Sequence, residues 1–598
     1  MSELFLSSFK RRPENFPACI DTPCEKRYFL QVLFVSLEVE MLKEDLVKVF
    51  EDAFKLNWDK PCFSDYGSDP LTFGKVASKI KEFHAVFNAL GIKKGDKIAL
   101  CGKNSANWAI AYLSTITYGA VIVPLLSDFT AEEIHHLVGH SDSKLFFAAE
   151  HIIDRLDFSL LKGVEVLFKL DDMSVAFSKE ENLNEKVAGA ISNFAETQTV
   201  TKENIAFEIP AKTDIATIVY TSGTTGFSKG VMISHNCLMA NIQYAIDSLP
   251  KGGEAMVSFL PLAHCFGCAF DFLLQVARGL HIIFMSKTPT PRILIKAFSE
   301  VQPFLVISVP LILEKIYTSK IRPMLDTKKM KILMAIPGIR QIIMKKIGKG
   351  ISDFFGGKCY EVISGGAAFN PKIESFLLKA GVRFTTGYGM TECAPLIAYT
   401  DYADNRKIGS CGKIMTYLTA KIDNPDKKGV GEICVKGENI MSGYYKMEKE
   451  TAEVIDSEGW LHTGDLGRID SDGFLFICGR LKNMILSSSG QNIYPEEIEL
   501  KINYMPFVSE SLVLDAGKGK LVAFVYPDYD KMKGENVTEE QLAVIMQQNR
   551  DELNETLPAY AKISEIRIHP EEFQKTSTKK IRRTLYTHLV DKKKGSKK

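Results

Sequence analysis

The sequence predicts an α/β protein: a large multi-subdomain N-terminal part with parallel-rich sheets and a small antiparallel barrel-like subdomain, then a small α+β C-terminal domain. Three observations predict it. From about Leu71 to Phe147, segments of helical spacing alternate with short β-branched runs. After Ile408, short strands separated by glycine and Asp-Gly turns take over, and from Leu481 onward a last mixed segment follows. At 598 residues the chain exceeds what one hydrophobic core can organise.

Element by element, "MLKEDLVKVFEDAFKL" from Met41 is apolar at helical spacing and predicts the first helix. Before it, "YFLQVLFVSLEVEM" follows Lys26 and Arg27 in the manner of a signal sequence, but Glu38 and Glu40 interrupt it and no small-residue cleavage site follows. Residues 1–40 are therefore read either as an extension outside the fold or as a start-site artefact. "VASKIKEFHAVFNALG" predicts a helix with a glycine stop and "KIALCG" a strand, a pairing that returns in "EEIHHLVGHSDSKLFFAA". No charge interrupts the chain from Asn104 to Ser127, long enough to span a bilayer. Gly119, the run "AVIV" and Pro124 break that stretch into a buried helix, a glycine cap and a buried strand instead. "GEICVKGENIMSGYY" and "GDLGRIDSDGFLFICGR" predict antiparallel sheet. In the last segment "SESLVLDAG" and "KLVAFVYP" predict strands, "TEEQLAVIMQQNRDEL" a helix, and "DKKKGSKK" a disordered tail.

Composition narrows the function classes. Hydrophobic residues make up 45%, charged residues 25%, and the formal net charge is +1, which gives no reason to expect nucleic acid as a partner. The twelve cysteines lie in apolar contexts such as "IALCG" and "FICGR", which favours a reducing compartment. Only "HCFGC" (His264, Cys265, Cys268) has metal-like spacing, and no second pair stands at a fitting distance.

The chemistry concentrates in "YTSGTTGFSKGV" (Tyr220 to Val231). Thr221, Ser222, Thr224 and Thr225 supply hydroxyls, Gly223 and Gly226 allow backbone N–H groups close to an anion, and Lys229 adds a point charge. Following the strand-like "IATIVY", that composition suits polyphosphate, although a solvated Ser/Thr/Gly turn has the same composition. A Walker A loop is excluded, because Ser228 stands where that motif needs glycine. Four further stretches belong beside it. "ISGGAAF" exposes backbone at Gly365, Gly366 and Ala367; "GYGMTE" gathers Tyr388, Gly389, Thr391 and Glu392; "WLHTGDLG" carries Asp465; and "GRLKNMILSSSGQNIYPEEIE" carries Arg480, Lys482 and Gly490. "KTSTKKIRR" ends near Lys580. Singly, each of these has an ordinary turn or surface explanation.

In their order and mutual distances, they resemble the superfamily of AMP-forming adenylating enzymes (acyl-CoA synthetases, luciferases and peptide-synthetase adenylation domains) over nearly everything from Leu42 to Tyr586. "GYGMTE", "VPLILEKIY" and "SSSGQNIYPEEIE" look most like the long-chain fatty acid CoA ligases. The chain departs from the pattern at Ser228, where the phosphate loop usually has proline. It also departs at Gln574 and Lys579, which replace the proline and glycine of the terminal lysine motif; the place just before Ile581 favours Lys580 as the working lysine.

The resemblance implies a division into an extension (1–40), a large ATP- and acyl-binding domain (41–481), a mobile C-terminal lid domain (482–588) and a basic tail (589–598). It implies that residues 221–229, with Thr221, Ser222, Gly223, Thr224, Thr225, Gly226 and Lys229, hold the β- and γ-phosphates of ATP, and that Thr221 and Glu392 lie near Mg²⁺. Tyr388 would stack on adenine beside Gly365, Gly366 and Ala367, with Gly389 and Thr391 in the same nucleotide loop. Asp465 would bind the ribose hydroxyls, and Arg480 would act from the hinge side. Lys580 would bridge the substrate carboxylate and the α-phosphate, Lys482 is the implied hinge, and Gly490 lines the implied pantetheine channel for CoA. His264 is placed beside the carboxylate pocket. Cys265 stands where amino-acid-activating relatives carry aspartate, which argues against an amino acid substrate, and the apolar surroundings favour a fatty acid. Three readings compete: an acyl-CoA synthetase, a fatty acyl-AMP ligase loading a carrier protein's phosphopantetheine, and a catalytically silent nucleotide-binding homologue. A cytoplasmic location is expected, with a homodimer left open. The lysine-rich "KKMKILMAIPGIRQIIMKKIGKG" (Lys328 to Gly350) is either a basic amphipathic surface touching anionic lipid at the inner membrane surface or a helical hairpin with solvated lysines.

Overall fold

Helix Phe73–Ala89 starts where Thr72 accepts the backbone N–H of Lys75, and its buried face, Val76, Ile80, Phe83 and Phe87, lies on the largest of five hydrophobic cores among the described residues. The structure is a computed structural model and describes residues 42, 44–221, 228–286, 290–402, 406–487, 491–517, 519–575 and 581–590. Predicted elements appear with few changes. The first helix is shorter than the periodicity suggests, Leu46–Leu56, because Asp45 is already extended at its N-cap. The uncharged stretch divides as expected into helix Ala106–Tyr118, a left-handed Gly119 (φ 86°) and strand Val121–Leu125, with Pro124 inside the strand. Among the described residues no helix is long and apolar enough to cross a membrane. The extension 1–40 and the basic tail's residues 591–598 lie outside the described residues.

An eight-stranded sheet forms the frame. Its order runs Gly443–Tyr444, Lys229–Ser234, Ile215–Thr221, Val121–Leu125, Lys97–Cys101, Ser143–Ala148, Val166–Lys169 and Val175–Ser178. The five central strands are parallel and the edges antiparallel. A parallel sheet covered by helices should read as continuous apolar runs, and "KIALC" and "VIVPL" do so. A second parallel core unites Leu305–Ser308, Glu361–Ser364 and Phe384–Thr386. Four antiparallel strands, Leu418–Asp423, Gly431–Gly437, Leu461–Ile469 and Leu475–Arg480, make the predicted turn-rich subdomain. The C-terminal unit sets Val508–Asp515 antiparallel to Leu521–Pro527 and adds Ile563–Ile568 in parallel, backed by helix Glu539–Glu555 with its capping box at Thr538.

The cores are aromatic. Trp108 stacks on Tyr112 at 5.4 Å, and Phe272 meets both edge-on. All three are essentially fully buried, and each ring of this kind contributes about 1.5–3 kcal/mol by burial alone. Phe272 comes from Gly267–Leu273, a π-helical stretch that begins at the glycine of "HCFG".

Candidate active site

The hydroxyl-rich loop joins two antiparallel neighbours, Ile215–Thr221 and Lys229–Ser234, with Thr221 paired to Lys229 across the ladder. The strand therefore turns back as a hairpin. A Walker A loop would have run into a helix instead, so the backbone topology agrees with the exclusion made from Ser228. Residues 222–227, including Ser222, Gly223, Thr224, Thr225 and Gly226, lie outside the described residues, as do Gly490 and Lys580.

Two chains of contact tie the other motif residues together. In the first, Lys229 Nζ sits 4.4 Å from the ring centre of Tyr444, and the Tyr444 hydroxyl donates to Glu392 Oε1 at 2.9 Å. Strand Gly443–Tyr444 pairs with Lys229–Ser234 and brings this ring to the lysine. The backbone carbonyl of Glu392 accepts the Met441 N–H at 2.9 Å, which fixes the carboxylate's stem. Burial, then the charge of Glu392, pushes the Tyr444 phenol well up, so it stays a donor at all physiological pH.

In the second chain, the Tyr388 hydroxyl donates to Asp465 Oδ2 at 2.7 Å and Arg480 Nε lies 2.7 Å from Asp465 Oδ1. Asp465 and Arg480 are direct cross-strand partners, so sheet register alone places the guanidinium beside the carboxylate. Asp465 is only 5% exposed, whereas the Arg480 side chain is 48% exposed. Burial first, and the charge of Asp465 second, holds the Tyr388 phenol well above its ordinary value.

The two chains share the loop 387–392. Gly387 N–H donates to Ser364 O, the last residue of the strand that leads to Gly365, Gly366 and Ala367. A Cβ on Gly365 would stand 2.8 Å from the ring of Phe266, and one on Gly389 would stand 1.9 Å from the Pro395 carbonyl oxygen. Gly366 occupies the left-handed region at φ 84° and is exposed with Ala367. Thr391 faces the buried Cys265 thiol. His264 lies half-buried just before the helical turn that continues into Gly267–Leu273. Lys482 is exposed in the 3₁₀ turn Leu481–Asn483, directly after Arg480. Beneath the loop, Arg406 donates to Phe384 O and to the buried Glu374, which fixes the strand leading to Tyr388.

Sequence reasoning missed Tyr444, which bridges Lys229 and the Glu392 carboxylate. "MSGYY" carried it in plain view, but only as a strand edge after a turn. Also missed was the support of the Asp465 strand: Glu432 accepts the Gly464 N–H at 2.9 Å and holds His462 Nδ1 at 2.9 Å, which raises the imidazole's pKa. Cys434 Sγ completes that cluster 3.4 Å from His462 Nδ1. "HCFGC" gathers no metal-ligand group among the described residues; burial pushes the Cys268 thiol up to about 12, and Cys265 higher.

Residues 50–445 match the family of AMP-binding enzymes and residues 482–592 match the AMP-binding enzyme C-terminal domain. The chain belongs to the AMP-binding enzyme family. A long-chain-fatty-acid–CoA ligase of Gallus gallus is 28% identical over 490 residues, 76% of this chain and 63% of the relative. Another of that name from Drosophila melanogaster is 27% identical over 510 residues, 79% of this chain and 74% of its own length. The chain thus spans somewhat under two thirds of the first of these relatives and about three quarters of the second. Among solved structures, the ATP-bound MatB of Rhodopseudomonas palustris aligns with a TM-score of 0.71 at 22% identity, covering 92% of this chain and all of that one. The O-succinylbenzoate coenzyme A synthetase of Bacillus subtilis, in complex with AMP, gives 0.69 at 20%, with 92% and 99% covered. These likenesses carry the α/β fold with its small C-terminal domain.

Proposed function

We propose that this family member activates a fatty acid, of long chain by the resemblance, as an acyl-adenylate at the expense of ATP and then transfers the acyl group to CoA. The observation that carries the reading is the convergence of Lys229, Tyr444 and Glu392 with Tyr388, Asp465 and Arg480 around one loop. In the first step a carboxylate oxygen attacks the α-phosphorus, the bond to the bridging oxygen breaks, and pyrophosphate leaves with the electron pair. Two anions must meet, so positioning and charge neutralisation dominate the barrier. Lys229 would neutralise the leaving phosphates and Asp465 would fix the ribose, with Tyr388 against the base and the backbone of Gly365, Gly366 and Ala367 at its edge. In the second step the thiolate sulfur of CoA attacks the acyl carbonyl and AMP leaves.

The donors near the phosphate loop fit Mg²⁺, since the Thr221 hydroxyl and the Glu392 carboxylate are both hard oxygen ligands. When bound, the ion would supply charge neutralisation at the phosphate oxygens. For the acyl group, Cys265 stands among Tyr112, Val219, Leu262 and Cys268, apolar surroundings that favour a fatty acid over an amino acid. His264 would stand beside the carboxylate. Lys580 would deliver positive charge to the α-phosphate, Lys482 would be the pivot and Gly490 part of the thiol channel, with residues 482–588 as the lid that exchanges these roles. A peripheral contact with membrane belongs to the same proposal.

Purified protein given ATP, Mg²⁺ and fatty acids of graded length should release pyrophosphate, and AMP and thioester should form only when CoA is added. Pyrophosphate release without thioester would move the assignment to carrier-protein loading, and no turnover at all would make the chain a silent homologue. Lys580→Ala should abolish adenylate formation yet spare thioester formation from supplied acyl-AMP. Equal loss of both would remove Lys580 from the role given to it.

A further inference from the structure

Residues 315–350 carry ten Lys or Arg against one acid, Asp326, an excess of nine positive charges in a chain whose net charge is +1. The rest of the molecule is therefore acidic overall, and the basic charge is concentrated in one stretch. Most of that charge lies on helix Lys328–Ala335 and the following helix Pro337–Phe354, which together carry seven Lys or Arg and one acid, Asp353. The second helix is anchored through its C-terminal half: Met344, Ile347 and Ile351 enter a core that also holds Phe298 and Leu377. A Cβ on Gly348 would stand 2.0 Å from the Ala380 carbonyl oxygen, which marks how closely this half packs. The first helix buries no residue at all.

At the free end, apolar side chains face outward. Ile332 is 67% exposed, Ile336 45% and Ile342 57%, and the lysines beside them are exposed too. Three exposed isoleucines within eleven residues are a local concentration that a solvated hairpin has no need of. Asp326 is engaged by Arg322 and Lys331. Lys328, Lys329, Arg340, Lys345, Lys346 and Lys349 have no ion-pair partner among the described residues.

We propose that this hairpin docks the protein on an anionic phospholipid surface, its isoleucines entering the headgroup–acyl boundary and its lysines meeting the lipid phosphates. Charge complementarity selects an anionic partner, and the aliphatic tip selects lipid over nucleic acid, which is met by hydrogen-bonding and aromatic side chains. The inference rests on the peripheral contact proposed above and names its surface, and vesicle binding tests it separately from which acid the enzyme activates.

The test is co-sedimentation of the full chain with phosphatidylcholine vesicles, with and without phosphatidylserine, at low and high salt. Binding should need phosphatidylserine and fall with salt. Each lysine near such a surface is worth roughly fivefold in partitioning, so the Lys328→Glu, Lys329→Glu, Lys331→Glu triple variant should lose at least about 100-fold. Ile332→Asp with Ile336→Asp should lose about tenfold or more while leaving all the lysines in place. Both variants should keep their melting temperature and ATP–pyrophosphate exchange with a soluble acid. Vesicle binding unchanged in both variants would overturn the proposal. So would binding that disappears when residues 591–598 are deleted, which would assign it to the tail. A change in oligomeric state by light scattering in the tip variants, without vesicle binding in the wild type, would make the occupant a second copy and overturn it too.

Discussion

Asp465→Asn is the substitution whose effect follows most directly from the geometry. A carboxylate offers about four lone-pair sites, and two are already occupied, by the Tyr388 hydroxyl on Oδ2 and Arg480 Nε on Oδ1. Two remain, which is the number that the 2′- and 3′-hydroxyls of a ribose require. Asparagine keeps the shape but turns one oxygen into an NH₂ that donates, so one oxygen with two sites must serve four donors. At least one hydrogen bond to a charged acceptor is lost, and such bonds are worth about 1.5–3 kcal/mol, a factor of roughly 10–150 in affinity. The exposed Arg480 side chain makes its ion pair a small part of that total. The KM for ATP in pyrophosphate exchange should therefore rise about 10- to 100-fold, with kcat falling much less, because the proposed ribose contact would be made equally in ground and transition states. Tyr388→Phe removes one competitor for the carboxylate and should raise the KM only a few-fold. An Asp465→Asn enzyme with an unchanged KM for ATP would refute the reasoning.

Three further outcomes can be checked. Tyr444→Phe keeps the ring beneath Lys229 but frees Glu392, so kcat/KM should fall about tenfold or more and the Mg²⁺ needed for half-maximal rate should rise; a normal Mg²⁺ titration would count against the bridge. Gly389→Ala must displace backbone at Pro395 O and should abolish exchange and lower the melting temperature, whereas at Gly387, where an added Cβ meets Ala398 O at 3.4 Å, alanine should be far milder; equal behaviour would sink the close-approach argument. Burial pushes Glu361 up to about 7, from 4.5. Below pH 4.5 its acid is protonated folded or unfolded, and no stability difference arises. Between pH 4.5 and 7 the unfolded chain ionises first, and the native protein loses up to about 3 kcal/mol that Glu361→Gln retains. The glutamine variant's advantage in melting temperature should grow across that window and then level off; a pH-independent difference would contradict it.

Much of this was legible in the chain. Alternating periodicities gave the parallel sheet and the shift at Ile408 gave the antiparallel one, because buried strands and turn-rich hairpins leave different local patterns. Asp465, Arg480 and Tyr388 were found as motif members, but their mutual bonds were not, since register across a sheet joins residues that sequence separates. Tyr444 escaped for the same reason: its role arises from strand Gly443–Tyr444 reaching the far edge of the eight-stranded sheet, a pairing without local signature. The hairpin that returns Lys229 beside Thr221 was likewise hidden, as "IATIVY" followed by glycines fits either a helix or a second strand.

Arg480 is both the ion-pair partner of Asp465 and the final residue of its strand, one step before the turn that carries the chain into the C-terminal unit. If Asp465 holds the ribose as proposed, a bound nucleotide would touch the residue pair next to that turn. Reciprocity would then run in both directions: any change in how the C-terminal unit is set against the sheet would alter how tightly the nucleoside is held, by the same free energy with which the nucleoside biases that setting.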